Sequence, residues 1–214
     1  MTARLDLDHV AIGYDAKVFL HDLCLRVEPA EIVALVGSSG SGKSTLLSTI
    51  VGILPCYSGT IYVDGIDMTT APVHERRVGM VFQDPLLFPH LSVIDNVAYG
   101  LRRKGLGRQQ ARDLASDLLG WVGLSDLSTR MPHQLSGGQA QRVALARALA
   151  PEPSVILLDE PFSALDIDLR QRLAGEVSEL LRGRRVAAVH VTHDLDEASR
   201  IADRVVSLAD LVQS

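Results

Sequence analysis

A chain of 214 residues suits one large domain with room for an inserted subdomain, and its 47 % apolar share is ample for a core. Only 4 % of the residues are aromatic, so that core must be aliphatic, built from Val, Leu, Ile and Ala. A formal net charge of −5 argues against a surface that grips a nucleic-acid duplex. The basic runs Arg102-Arg103-Lys104 and Arg182, Arg184, Arg185 read as solvated loops. Cys24 and Cys56 have no metal-type spacing and read as small buried hydrophobes of a reducing compartment. The N-terminal Met1-Thr-Ala-Arg-Leu-Asp-Leu-Asp8 sets acids into its apolar pattern, unlike a signal peptide, and no apolar run approaches the ~20 residues of a membrane span. The chain is expected to be soluble, with any membrane role exercised through separate subunits.

In chain order, Leu5 to Ile12 and Leu23 to Val27 alternate like half-buried strands. Ile32 to Val36 is a continuous apolar run, the pattern of a strand covered on both faces. A Gly/Ser-rich loop follows, then a helix from Ser44 that ends near Gly52 and Pro55. Gly59 to Val63 and Val78 to Phe82 read as two more strands. From Arg112 to Val122 an apolar stripe predicts an amphipathic helix, and Gly137 to Leu149 predicts an Ala-rich helix stopped by Pro151. Residues 85–153 therefore read as a helical insertion. Alternation then resumes: strand 155–158, helix 168–182, strand 186–191, a short helix from Asp194, and strand 204–208. Such alternation around a phosphate-binding loop predicts a parallel α/β core.

Three motifs carry the chemistry. Gly37-Ser-Ser-Gly-Ser-Gly-Lys43-Ser44-Thr45 fits G-x-x-x-x-G-K-[ST], in which glycines let backbone N–H groups converge on phosphate and the following helix presents its positive end. Val155-Ile-Leu-Leu-Asp159-Glu160 is an apolar strand ending on two carboxylates, the place from which an acid can hold Mg²⁺ through water. Leu135-Ser-Gly-Gly-Gln139 opens a second helix N-terminus able to face an anion. Each also has a plain structural reading: a chance Gly/Ser turn, a capping acid pair before Pro161, and a simple Ser N-cap at Ser136.

Together, in this order, the three motifs resemble those of the ATP-binding cassette (ABC) ATPases, and the resemblance covers almost the whole chain. It implies an α/β fold: a RecA-like P-loop NTPase core with an antiparallel β subdomain and an inserted α-helical subdomain, the core at 1–84 and 154–214 and the helical part at 85–153. It implies ATP and Mg²⁺ as ligands. Gly37, Ser38, Ser39, Gly40, Ser41, Gly42, Lys43, Ser44 and Thr45 would cradle the phosphates, with Lys43 supplying charge and Ser44 and Asp159 holding the metal. Glu160 would be the general base, or orient the attacking water. Gln83 matches the glutamine that contacts metal or water, His193 in Val191-Thr-His-Asp194 the histidine at the γ-phosphate, and Tyr14 the aromatic under adenine. Ser136, Gly137, Gly138 and Gln139 would clasp ATP bound to a second copy, and Asp166 in Ser163-Ala-Leu-Asp166 would cross that dimer interface. A surface-turn Gln83, an N-capping Asp166, a core-packed Tyr14 and a structural His193 are the plain alternatives, and the nearby His190 reads as structural. Ala30 stands where the family usually has Gly, and Ser38 where Pro is frequent.

Gln83-Asp-Pro-Leu-Leu-Phe-Pro-His-Leu-Ser-Val93 and Pro161-Phe-Ser-Ala-Leu-Asp166 resemble bacterial importers for oxyanions, ferric iron, polyamines or thiamine. The Leu86–Leu91 region would then receive a short helix of the permease, or else pack inside the insertion. Because the chain stops at Ser214, a regulatory domain is expected to be absent, which favours the shorter thiamine-like or uncharacterised importers. The expected partners are a second ATPase subunit, permease subunits and an extracytoplasmic solute-binding protein, at the cytoplasmic face of the membrane. A mechanical or lipoprotein-release ATPase is the alternative; a soluble ABC ATPase acting on nucleic acid fits less well.

Overall fold

The structure is a computed structural model that describes residues 2–15, 17–163 and 165–212. By contact the chain divides into two units, one of residues 1–80, 154–160 and 171–214, the other of 81–153 and 161–170.

The first unit carries two sheets. Strands β1 (Leu5–Tyr14), β2 (Lys17–Val27), β4 (Ser58–Val63) and β5 (Ile66–Asp67) form an antiparallel sheet in the order β2-β1-β4-β5. Strands β3 (Ile32–Val36), β6 (Val78–Val81), β7 (Val155–Asp159), β8 (Ala187–Val191) and β9 (Arg204–Ser207) form the other, in the order β6-β7-β8-β3-β9, with β3, β7, β8 and β9 parallel to their neighbours. All five residues of β7 and of β8 are buried, which is why these segments read as unbroken apolar runs. Leu5, Leu7, Val10 and Ile12 of β1 join Val33, Leu35, Leu157 and Val189 in one aliphatic core, each fully buried side chain stabilising by about 1.5–3 kcal/mol.

Helix α1 (Lys43–Val51) follows β3 and is closed at its far end by Arg76. That guanidinium is buried and donates to the carbonyls of Thr49 (3.0 Å) and Ile50 (2.9 Å), and to those of Ala71 (2.8 Å) and Thr69 (2.9 Å). A cation against orphan carbonyls also suits the negative end of the helix.

The second unit is helical. Helices α2 (Val93–Arg103), α3 (Arg108–Trp121) and α4 (Gly137–Leu149) enclose Val93, Val97, Leu101, Ala115, Leu119 and Val143. Of the remaining helices, α5 (Ile167–Gly183) belongs mostly, and α6 (Leu195–Ile201) wholly, to the first unit. Among the described residues no helix is long and apolar enough to cross a membrane.

Two expectations need correction. The cysteines are half-buried: Cys24 alternates with the buried Leu23 and Leu25 and so leaves the sheet on the opposite face, while Cys56 packs against the edge of the core with its thiol donating to the Ser58 carbonyl (2.9 Å). Arg102, Arg103 and Arg182 lie in the last turns of α2 and α5, where cations oppose the helix dipole, instead of in loops; Arg182 also pairs with Asp203 at 2.9 Å.

Candidate functional site

Three adjacent strands bring their carboxyl ends to one edge of the parallel sheet. Val191 of β8 is in register with Leu35 of β3 on one side and Asp159 of β7 on the other. The phosphate-binding loop, the two acids and His193 therefore emerge side by side, the usual ligand position in such sheets.

The loop after β3 turns back so that Ser41 N–H donates to the Ser38 carbonyl (3.3 Å). Gly42 caps α1 at φ 106, and a Cβ there would lie 2.8 Å from Phe19 Cε2, so both backbone and packing demand glycine. Among the described residues no side chain caps the first turn of α1. Lys43 is buried, and its ammonium donates to the carbonyls of Gly37 and Ser38 (2.8 Å each) and to Ser41 Oγ (3.3 Å). A desolvated ammonium is thus held by three acceptors along the loop it serves.

Asp159 is buried, and burial pushes its carboxyl above the ordinary carboxylate range; the Ser44 hydroxyl, which hydrogen-bonds it, and Lys43 pull the other way, while Glu160 adds to the rise. Two oxygen donors, Ser44 and Asp159, are in contact beside Lys43, a set suited to a hard cation such as Mg²⁺. Glu160 departs from the strand with φ 46, a conformation costing a non-glycine residue about 1–3 kcal/mol. Its N–H donates to the Val191 carbonyl (3.0 Å), and its Oε2 lies 3.2 Å from His193 Nδ1. His193 is itself held between anchored neighbours: Thr192 N–H reaches the Leu35 carbonyl (3.4 Å), and Asp194 caps α6 through the N–H groups of Asp196 and Glu197. His190 is fully buried with Nε2 2.6 Å from Glu197 Oε1, a structural pairing.

Tyr14 ends β1 opposite Lys17 and is 61 % exposed, so it is not core. Phe19, on the next strand, is the aromatic that touches the loop glycine; the consecutive Val18-Phe19-Leu20 was the only sequence hint of it.

The remaining candidates belong to the second unit. Ser136 caps α4 through a full capping box: its Oγ accepts from Gln139 N–H (3.3 Å) and Gln139 Oε1 accepts from Ser136 N–H (3.0 Å). Packing explains Gly138, where a Cβ would stand 2.5 Å from Leu165 Cδ2, but not Gly137, where a Cβ would meet nothing within 4 Å among the described residues. Asp166 Oδ1 accepts from Leu169 N–H (2.9 Å) and so caps α5. Gln83 is exposed just after β6. Its loop is pinned by side chains that sequence reasoning missed. Gln141 donates to the Phe82 carbonyl (2.9 Å), and Arg147 donates to those of Leu86 (2.7 Å) and Pro85 (3.0 Å). The fully buried Asn96 exchanges hydrogen bonds with the Phe88 N–H (2.8 Å) and carbonyl (3.1 Å). In that stretch Leu87 packs on the helical cluster, Phe88 tilts on Tyr99 at 4.6 Å, and Leu86 is exposed.

A P-loop at the carboxyl edge of a RecA-like sheet, with a helical unit carrying a Ser-Gly-Gly-Gln helix start, defines an ATP-binding cassette. Residues 20–163 match the family described as ABC transporter, and the chain belongs to that family. It is 48 % identical over 202 residues to the Fe(3+) ions import ATP-binding protein FbpC of Rhizobium etli, an alignment covering 94 % of this chain and 57 % of that protein. It is 43 % identical over 210 residues to a Salmonella paratyphi A protein provisionally named 2-aminoethylphosphonate import ATP-binding protein PhnT, covering 98 % and 57 % respectively. The chain thus spans little more than half the length of these relatives. Among solved structures it is similar to the dimeric post-hydrolysis state of the ATP-binding cassette MJ0796 bound to ADP and Pi, with TM-score 0.87, 33 % identity, and 95 % and 93 % of the two chains covered.

Proposed function

We propose that this chain is the ATP-hydrolysing subunit of an ABC importer. Two copies close head to tail over two Mg-ATP, and closure drives solute uptake through separate permease subunits at the cytoplasmic membrane face. The observation that carries the hydrolytic reading is the convergence of Lys43, Ser44, Asp159, Glu160 and His193 on one sheet edge, with Glu160 3.2 Å from His193.

The loop amides of Gly37 to Thr45 and the Lys43 ammonium bind and neutralise the phosphates. Ser44 and Asp159, with Gln83, would hold Mg²⁺, which would offset charge on the phosphate oxygens. Glu160 orients water and takes its proton as the water oxygen bonds the γ-phosphorus and the bond to the bridging oxygen breaks. His193, fixed by Glu160, presents its imidazole to the γ-phosphoryl oxygens. Tyr14, exposed at the hairpin end, offers its ring to adenine. From the second copy, Ser136, Gly137, Gly138 and Gln139 present a helix N-terminus to the γ-phosphate, and Asp166 lies at the crossing. Catalysis is chiefly positioning and charge stabilisation.

The relatives' names support import as the direction, and ferric iron and an aminoalkylphosphonate as first cargoes to test. The decisive experiment extracts the native complex in mild detergent, identifies its membrane partners and any solute-binding protein, and reconstitutes it in vesicles. ATP-dependent uptake, lost with Glu160→Gln, supports the proposal. A co-purifying membrane protein with a large ectodomain and no transported solute overturns the importer reading.

A further inference from the structure

On the face of the antiparallel sheet that carries Cys24, β1 contains an irregularity that brings three metal-ligating side chains together. Leu7 pairs with Leu25 and Val10 with Leu23, so Asp8 and His9 together stand opposite the single residue Cys24. Two residues against one is a β-bulge, a device that re-aims side chains and recurs beside functional sites. The partner strand on the other side is adapted to it. Asp8 pairs with Thr60 and Ala11 with Ser58, leaving Gly59 against the bulge, where a Cβ would come within 2.3 Å of the His9 carbonyl oxygen and 2.4 Å of that of Asp8. His9 (φ 50) and Asp22 (φ 54) both adopt left-handed backbone.

One ligand atom from each of Asp8, His9 and Cys24 lies within 4.8 Å of the others. His9 Nε2 is 3.9 Å from Asp8 Oδ1, and His9 Nδ1 is 3.6 Å from Asp22 Oδ1. Both separations exceed a hydrogen bond, and atoms sharing a tetrahedral ion at 2.0–2.3 Å sit about 3.3–3.6 Å apart, within reach of small side-chain rotations. The His9 backbone N–H donates to Cys24 Sγ (3.4 Å), as suits a thiolate ligand. Arg26, which also lines the adjoining depression, is turned to Glu28 at 3.0 Å. The cluster borders an open depression of about 300 Å³ with room for a water ligand.

We propose that Asp8, His9 and Cys24 form a binding site for a borderline-soft divalent cation such as Zn²⁺, with Asp22 as the acceptor that orients the His9 ring. A thiolate, an imidazole and a carboxylate with a fourth position for water match zinc chemistry. A carboxylate on the second ring nitrogen is the usual support of a ligating histidine. Spacing along the sequence could not reveal the set, because the ligands come from two strands joined by the bulge.

The test titrates the purified, untagged full chain with Co²⁺ as the spectroscopic probe and Zn²⁺ as competitor, without chelator or ATP. The expected result is a near-ultraviolet thiolate-to-cobalt band saturating at one ion per chain and abolished by Zn²⁺. It persists in Cys56→Ser, disappears in Cys24→Ser and in His9→Asn, and needs about 10–100-fold more cobalt in Asp22→Asn. Circular dichroism confirms each fold, and His9→Asn, whose new side chain tolerates positive φ, carries the test if Cys24→Ser does not fold. Absence of the band in the folded chain at saturating cobalt, its survival without Cys24 or His9, or its loss with Cys56 would overturn the proposal. None of these readouts depends on ATP hydrolysis.

Discussion

His193 Nδ1 lies 3.2 Å from Glu160 Oε2, although the two residues are brought by different strands, β8 and β7. The pairing needs Glu160 in its left-handed conformation, with its N–H tied to the Val191 carbonyl at 3.0 Å. Strain persisting at an ordered strand end is what a site tolerates when geometry matters more than stability. Glu160→Gln should bind ATP with unchanged affinity yet lose about 10²–10⁴ of turnover. His193→Ala should lose about 10² or more. Nucleotide binding by fluorescence and phosphate release together decide this; near-normal turnover by Glu160→Gln sinks its assignment.

This site was legible because strand ends carry it: an apolar run before Gly37, another before Asp159 and a third before His193 fix which edge the residues share. Less legible were elements held by polar groups. Helix α2 has its apolar positions Val93, Val97, Ala98 and Leu101 interrupted by Asn96, which is fully buried because it feeds hydrogen bonds to the Phe88 loop. Gly100 in the same helix looks like a breaker but makes room for Pro151, whose Cγ would lie 2.5 Å from a Cβ there. The first half of β2 is mostly exposed and its consecutive apolar Val18-Phe19-Leu20 hides the strand alternation, so the hairpin beyond Ile12 could not be read. Arg76 sits in a segment without periodicity, and nothing in its neighbours forecasts a buried cation.

The two glycines that open α4 should respond differently to one added methyl. Gly138→Ala drives a Cβ to 2.5 Å from Leu165 Cδ2 and should lower stability by about 1–3 kcal/mol. Gly137→Ala meets nothing within 4 Å among the described residues, so its stability should be unchanged or slightly raised. If its amide faces a phosphate across the dimer, ATPase activity should still fall at least about tenfold, the cost of one lost interaction of about 1.4 kcal/mol in the transition state. Urea unfolding and ATPase rates measured on the same samples separate the effects. A Gly137→Ala protein with full activity removes the case for that approach.

Asp159 is a buried carboxylate that burial disfavours in its charged form. Asp159→Asn should therefore raise the unfolding temperature of the nucleotide-free chain, by about 2–4 °C for each ~1 kcal/mol of relieved desolvation. The same change should abolish magnesium-dependent hydrolysis. Calorimetry without nucleotide checks the first expectation; a lower unfolding temperature would mean that the bond to Ser44 outweighs the burial cost.

In the helical unit, Arg112 donates to both carboxylate oxygens of Asp95 (2.9 and 2.7 Å) and holds that carboxyl below the ordinary carboxylate range. A folded-state pKa below the unfolded one gives stability that is present above the ordinary carboxylate range and is lost as pH falls through it towards the folded value. Asp95→Asn should cost about 1–2 kcal/mol at neutral pH, and the deficit should shrink below about pH 4. Urea midpoints of both proteins between pH 7 and pH 3 test this, and a deficit independent of pH would assign the loss to packing.

Arg76 offers the sharpest stability test, because one side chain satisfies four carbonyls: Thr49 and Ile50 at the end of α1, and Thr69 and Ala71 beyond it. The planar fork of arginine reaches all four, whereas a lysine ammonium concentrates its donors at one point. Arg76→Ala should leave buried acceptors unpaired and cost about 3 kcal/mol or more. Arg76→Lys, though it keeps the charge, should recover less than half of that. Because Arg76 acts at the far end of α1 from Lys43, ATP affinity measured below the unfolding transition should change little in either variant. If Arg76→Lys unfolds within about 0.5 kcal/mol of the parent chain, charge at the helix terminus is sufficient and the four-carbonyl fork is not what holds α1 in place.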